Sequence, residues 1–179
     1  ISANQALHYI ESLRLGIPPN QDISYFTVGR RAEINSLYNL LSNPNQKIKL
    51  LQANYGSGKT HLLKLLREEA LRRNFSVSLL TLDGKSGIRF SKLDEIFGSM
   101  CRNLLMPDGS KGVSGLFDAI KHGSSSKAKH IQQYKFYNGN RRSAPLQEAL
   151  NWWLKYDLPQ TRDVIVEWIS NPYHFTTTS

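Results

Sequence analysis

Apolar residues recur along the chain with two periods, and the switches between them mark its elements. Leu7, Ile10 and Leu13 recur at spacing three, which predicts a helix over residues 2–15 with Ser2 as its cap and Gly16 and Pro18 as its stop. After the turn IPPNQD, Ile34, Leu37, Tyr38 and Leu41 form the stripe of a second helix that ends ahead of Asn43 and Pro44. Residues 48–53, IKLLQA, are an apolar run of strand length, and Leu62, Leu66 and Ala70 then share one face of a helix over 61–74. SVSLLTL, 76–82, reads as a second strand, which a helical crossover would set parallel to the first. Ser91, with Asp94 at the capping-box position, opens a helix carrying Leu93, Ile96, Phe97, Met100, Cys101 and Leu104. From Pro107 to Ser143 the pattern thins to PDGSKGVSG, a short LFDAIKH and the polar GSSSKAK, which reads as a mobile loop or insertion. Periodicity returns with Leu146, Leu150 and Trp153 behind Pro145, and TRDVIVEWIS, 161–170, fits a helix or a strand.

Composition narrows the class. With 179 residues, 40% hydrophobic and 21% charged, the chain is too apolar for a disordered protein and long enough for one domain, or one and a part. No window approaches a membrane span and the N-terminus has no signal-peptide core, so the expectation is a cytoplasmic protein without a membrane partner. The single cysteine, Cys101, excludes an intramolecular disulfide and reads as a small core residue. Trp152, Trp153 and Trp168 likewise read as core or interface rather than a ligand cage. The chain opens at Ile1 and closes on the polar HFTTTS, which reads as a piece of something longer.

The strongest chemical signal is Ala53-Asn54-Tyr55-Gly56-Ser57-Gly58-Lys59-Thr60, with His61 next. It matches the phosphate-binding P-loop, Gly, four residues, then Gly-Lys-Ser/Thr, except that Ala53 replaces the first glycine. The expected strand before it and helix after it supply what the chemistry needs, successive backbone N–H groups converging on phosphates at a helix N-terminus. Gly56 and Gly58 let the backbone curl, Lys59 reaches the β and γ oxygens, and the Thr60 hydroxyl ligates Mg²⁺. Were position 53 to need positive φ, its Cβ would cost about 1 kcal/mol and weaken binding several-fold. Hydrolysis also needs an acid on a neighbouring strand, usually after four apolar residues. No such run is evident: Asp83 ends LLTL on the strand just after the P-loop helix, and Glu167 follows only Val164, Ile165 and Val166.

The net charge of +9 is concentrated. Between residues 109 and 147, Lys111, Lys121, Lys127, Lys129, Lys135, Arg141 and Arg142 face only Asp118. Within this stretch Tyr134, Phe136 and Tyr137 interleave with the cations, so it is both the best nucleic-acid candidate and an ordinary solvated loop. Lys127, Lys129, Lys135, Arg141 and Arg142 are the residues expected to meet phosphates.

Val28-Gly29-Arg30, with Glu33-Ile34, is similar to the VGR-x-x-E box of AAA+ and origin-recognition-like ATPases, whose backbone and side chains flank the adenine. LRLGIPP, TVGRRAEI, NYGSGKTHLLKLLREEAL and FSKLDEIFGSMCRNL together closely resemble the ATP-binding proteins of BREX phage-defence systems over about residues 5–105, and weakly into EALNWWL. The resemblance implies an α/β fold: a partial AAA+-like P-loop core with parallel strands, preceded by N-terminal helices and followed by a helical insertion. The segments would be 1–47 with the adenine-side box, 48–105 as the core, 106–143 as the basic loop or insertion, and 144–179 as a helical segment ahead of the magnesium-binding strand. It implies ATP and Mg²⁺ as cofactors, with Gly29, Arg30, Asn54, Tyr55, Gly56, Ser57, Gly58, Lys59, Thr60 and His61 at the site. It also implies an ATPase in the full-length parent, with DNA, other defence-system proteins and further copies of the chain as partners. A nucleotide-gated regulatory or assembly module without hydrolysis is the competing reading. A small-molecule kinase using Asp83 as base is disfavoured by the VGR box.

Overall fold

The Ser2 side chain accepts from the Gln5 N–H while the Gln5 side chain accepts from the Ser2 N–H, a reciprocal cap that starts helix α1, Ala3–Arg14. In the computed structural model the described residues are 2–17, 22–43, 45, 48–82, 88–89, 91–123, 144–156 and 158–170. They hold seven helices and one two-stranded sheet, and fall into two units, Ile1–Phe75 and Ser76–Ser179.

In the first unit α1 is followed by a 3-10 turn, Ile23–Phe26, then α2, Arg31–Ser42, and α3, Lys59–Arg72. The expected stripe of α1 is not its buried face: Leu7, Ile10 and Leu13 are half exposed or more, while Tyr9 is buried. Tyr9 goes inside because its hydroxyl donates to the Asp22 carboxylate and its ring packs edge-on against Phe26 at 5.1 Å. Ile23, 1% exposed, donates its N–H to the Glu68 carboxylate of α3 at 3.1 Å. Leu37, Leu62, Leu65 and Ala70 are also buried. Buried Glu69 sits among Arg72, Arg73 and their N–H donors at 2.6–2.9 Å, and Arg73 lies over the Tyr38 ring. Burial opposes ionisation of Glu69, but the two arginines outweigh it and hold the carboxyl below its ordinary range.

The expected strand over 48–53 is not formed. A strand exists only through a paired neighbour, and among the described residues no backbone ladder engages this run; Ile48 and Leu50 are both 87% exposed. Lys49 anchors it from within, its ammonium donating to the carbonyl and hydroxyl of Ser36 on α2.

In the second unit the expected strand 76–82 shrinks to β1, Val77–Ser78, and pairs antiparallel with β2, Leu104–Leu105. No parallel pair occurs among the described residues; the pairing found there is this short antiparallel one, whose strands are separated by α4. Helix α4, Leu93–Arg102, is capped at Lys92 rather than Ser91, and turns Glu95, Gly98, Ser99 and Cys101 inward while Leu93 is exposed. Helix α5, Gly112–His122, occupies a stretch expected to be loop. Val113 and Phe117 bury its inner face, and the close approach of Ser110, 2.7 Å from where a Cβ on Gly115 would stand, requires glycine there. Helices α6, Ala144–Lys155, and α7, Pro159–Ser170, complete the unit, and α7 resolves the helix-or-strand choice at 161–170. Cys101, Val113, Phe117, Ala149, Leu150, Trp153, Ile165 and Ile169 form the core, with Trp168 packed at its edge. Trp153 meets Phe117 edge-on at 5.5 Å and donates Nε1–H to Asp118 Oδ1 at 2.9 Å.

Candidate functional site

The loop 53–58 and the start of α3 sit in the first unit. Gly56 and Gly58 take φ of 76° and 81°, left-handed conformations that a side chain would strain. Ala53 is not among the positive-φ positions, which at residues other than glycine are Asp22, Arg30 and Asn74 among those described. The alanine therefore fits its place without backbone strain. The Ser57 N–H donates to Asn54 O at 3.3 Å, and the Lys59 ammonium folds back over the loop to the carbonyls of Ala53 and Asn54, each at 2.6 Å. Gly58 is the N-cap of α3 and offers no side chain to it. The Leu62 N–H donates to Gly58 O at 3.0 Å, so the N–H groups of Lys59, Thr60 and His61 have no partner within the helix. Tyr55 is fully exposed, and the buried Ser57 hydroxyl has no hydrogen-bond partner.

The segment 27–30 meets this loop. Gly29 and Arg30 take successive left-handed conformations, φ 75° and 56°, and Arg30 is the N-cap of α2. The Arg30 guanidinium lies 3.4–3.6 Å from where a Cβ on Gly58 would stand. The Thr27 hydroxyl lies 2.8 Å from His61 Nε2 and 2.8 Å from the Ile23 carbonyl. Its one proton goes to the carbonyl, so the imidazole donates from Nε2. Burial, then Arg30 and Lys64, push the His61 imidazole below its ordinary range.

The family model of BREX system ATP-binding proteins BrxC/D matches residues 1–140. The chain belongs to this family. As a BREX ATP-binding protein it is matched over a longer span than the residues 5–105 that carry the visible likeness, whereas EALNWWL lies beyond the match. No curated protein and no solved structure matches the chain.

Of the residues expected at the site of this BREX protein, Gly29, Arg30 and the run 54–61 come together. Lys127, Lys129, Lys135, Arg141, Arg142 and Asp83 lie outside the described residues. Glu167 is on helix α7 of the second unit, so it does not end a strand as a magnesium-holding acid would. Among the described residues no cluster of three or more His, Cys, Asp or Glu could hold a metal, and no helix is long and apolar enough to cross a membrane. Sequence reasoning missed Thr27, whose only visible signal is its place directly before the VGR box.

Proposed function

We propose that the chain binds ATP with Mg²⁺ at residues 54–61, as the P-loop module of a bacterial antiphage ATPase acting on or near DNA. The observation that carries this reading is the left-handed Gly56 and Gly58 leading into an uncapped helix start, with Lys59 folded over the same turn. The orphaned Ser57 hydroxyl and the free N–H groups of residues 59–61 form a donor set suited to phosphate oxygens. Lys59 would exchange two neutral carbonyl acceptors for charged oxygens, a stronger hydrogen bond. Thr60, on the first turn, is the residue to hold Mg²⁺, a cation that keeps most of its ligands as water and phosphate and needs no carboxylate cage. A Mg²⁺ held there would supply positive charge against the phosphates. In this reading the run 48–53, which has no strand partner among the described residues, would lead into the loop as a strand once paired in a parallel sheet.

A second reading, a nucleotide-gated regulatory or assembly module, is favoured by the commitments of three of the first unit's five carboxylates. Asp22 accepts from Tyr9, Glu68 from the Ile23 N–H, and Glu69 from Arg72 and Arg73. Calorimetric titration of the chain with ATP and Mg²⁺ tests the binding step. Lys59→Ala is expected to abolish the heat, and equal affinity in both proteins overturns the assignment. Phosphate release on the same samples separates ATPase from switch.

A further inference from the structure

Arg30 is placed at a cost that capping does not explain. Its φ of 56° is a region disfavoured for a residue with a Cβ, and at the N-cap of α2, where a short polar side chain would bond the helix, its side chain makes no capping hydrogen bond. Among the described residues no carboxylate lies at ion-pair distance from it. The guanidinium instead reaches the Gly58 turn, 3.4 Å from the Cβ position. The same segment is fastened to the first turn of α3 by the hydrogen bond between Thr27 and His61. Two cations thus converge on the turn that leads into the N–H groups of residues 59–61, Lys59 folded over it through Ala53 and Asn54 and Arg30 beside Gly58.

We infer that Arg30 binds the phosphate chain of the nucleotide rather than its adenine, and that His61, through Thr27, is the positioning residue that holds it there. This rests on the nucleotide reading above and moves the VGR segment from the base end of the site to the phosphate end. A guanidinium presents several donors in a fixed fork suited to phosphate oxygens, and a backbone held in a disfavoured conformation is a common companion of such placement.

Calorimetric titration of the 179-residue chain with ATP and with inorganic tripolyphosphate, both with Mg²⁺, tests it. Arg30→Ala is expected to weaken both ligands by the same factor, about tenfold or more, because they share only the phosphates. Arg30→Lys should recover part of the loss and shows that a folded variant carries the effect. Thr27→Val should weaken both ligands less, and Thr27→Ser, which keeps the hydroxyl, should restore them. A loss confined to ATP, with tripolyphosphate unchanged, assigns Arg30 to the base and overturns the inference, as does no change with either ligand. Failure of the nucleotide reading is seen separately, as wild-type protein that binds neither.

Discussion

The imidazole of His61 donates to the Thr27 hydroxyl at 2.8 Å across 34 residues of sequence, tying the segment before α2 to the first turn of α3. Because burial, Arg30 and Lys64 all lower the His61 pKa, the folded state favours the neutral ring. The stabilisation is complete above the ordinary value of 6.5 and is lost as pH falls from there through the lower folded value, where the unfolded chain binds more protons. The urea midpoint of the wild type should fall between pH 7 and pH 5 more than that of His61→Gln, which keeps an N–H donor and does not titrate. Parallel falls in the two proteins would remove His61 as the cause.

Ala53 and Gly58 bracket the loop but differ in backbone demand. Gly58→Ala puts a Cβ at φ 81° and against Arg30, and should cost about 1–2 kcal/mol, read as a roughly fivefold to thirtyfold weaker ATP affinity. Ala53→Gly should leave affinity unchanged, since the alanine is not at positive φ. A several-fold gain on Ala53→Gly would show that nucleotide binding demands a positive φ at position 53.

In the second unit Trp153, 1% exposed, is the largest fully buried side chain. Trp153→Ala should destabilise the protein by about 3–5 kcal/mol. Trp153→Phe should cost less, because it keeps most of the volume and loses the bond to Asp118, which is partly exposed and can turn to water. Trp152→Ala, whose ring stacks on Tyr156 at the surface, should shift the urea midpoint least. A Trp153→Ala effect no larger than that of Trp152→Ala would refute the core described above.

DNA contact by the basic stretch remains a proposal from the sequence. Affinity for duplex or single-stranded DNA should fall steeply with salt, and neutralising Lys127, Lys129, Arg141 and Arg142 should flatten the logarithmic slope by about one unit per lost phosphate contact. An unchanged slope in a filter-binding or anisotropy titration moves the contact elsewhere.

What the sequence revealed was local chemistry. The Ser2 cap is confirmed by its hydrogen bonds, and the glycines of the loop stand where a left-handed turn requires them. What it hid depends on distant partners. Periodicity named Leu7, Ile10 and Leu13, yet Tyr9 is the buried residue of α1, because Asp22 and Phe26 give its hydroxyl and ring a place. Helix α5 was obscured by Gly112 and Gly115, poor helix formers by themselves, and the second is there because Ser110 leaves no room for a Cβ. The run 48–53 has the composition of a strand, but composition cannot supply the neighbour a strand must pair with. The meeting of Arg30 with Gly58 had no sequence signature beyond the two motifs themselves.

The left-handed backbone of Arg30 carries a price in endurance. Asparagine is more at ease in that conformation and is a better N-cap, so Arg30→Asn should raise the urea midpoint, by about 1 kcal/mol in stability, while removing the cation beside Gly58. A lineage selected for heat tolerance and one selected for nucleotide affinity would therefore pull position 30 in opposite directions.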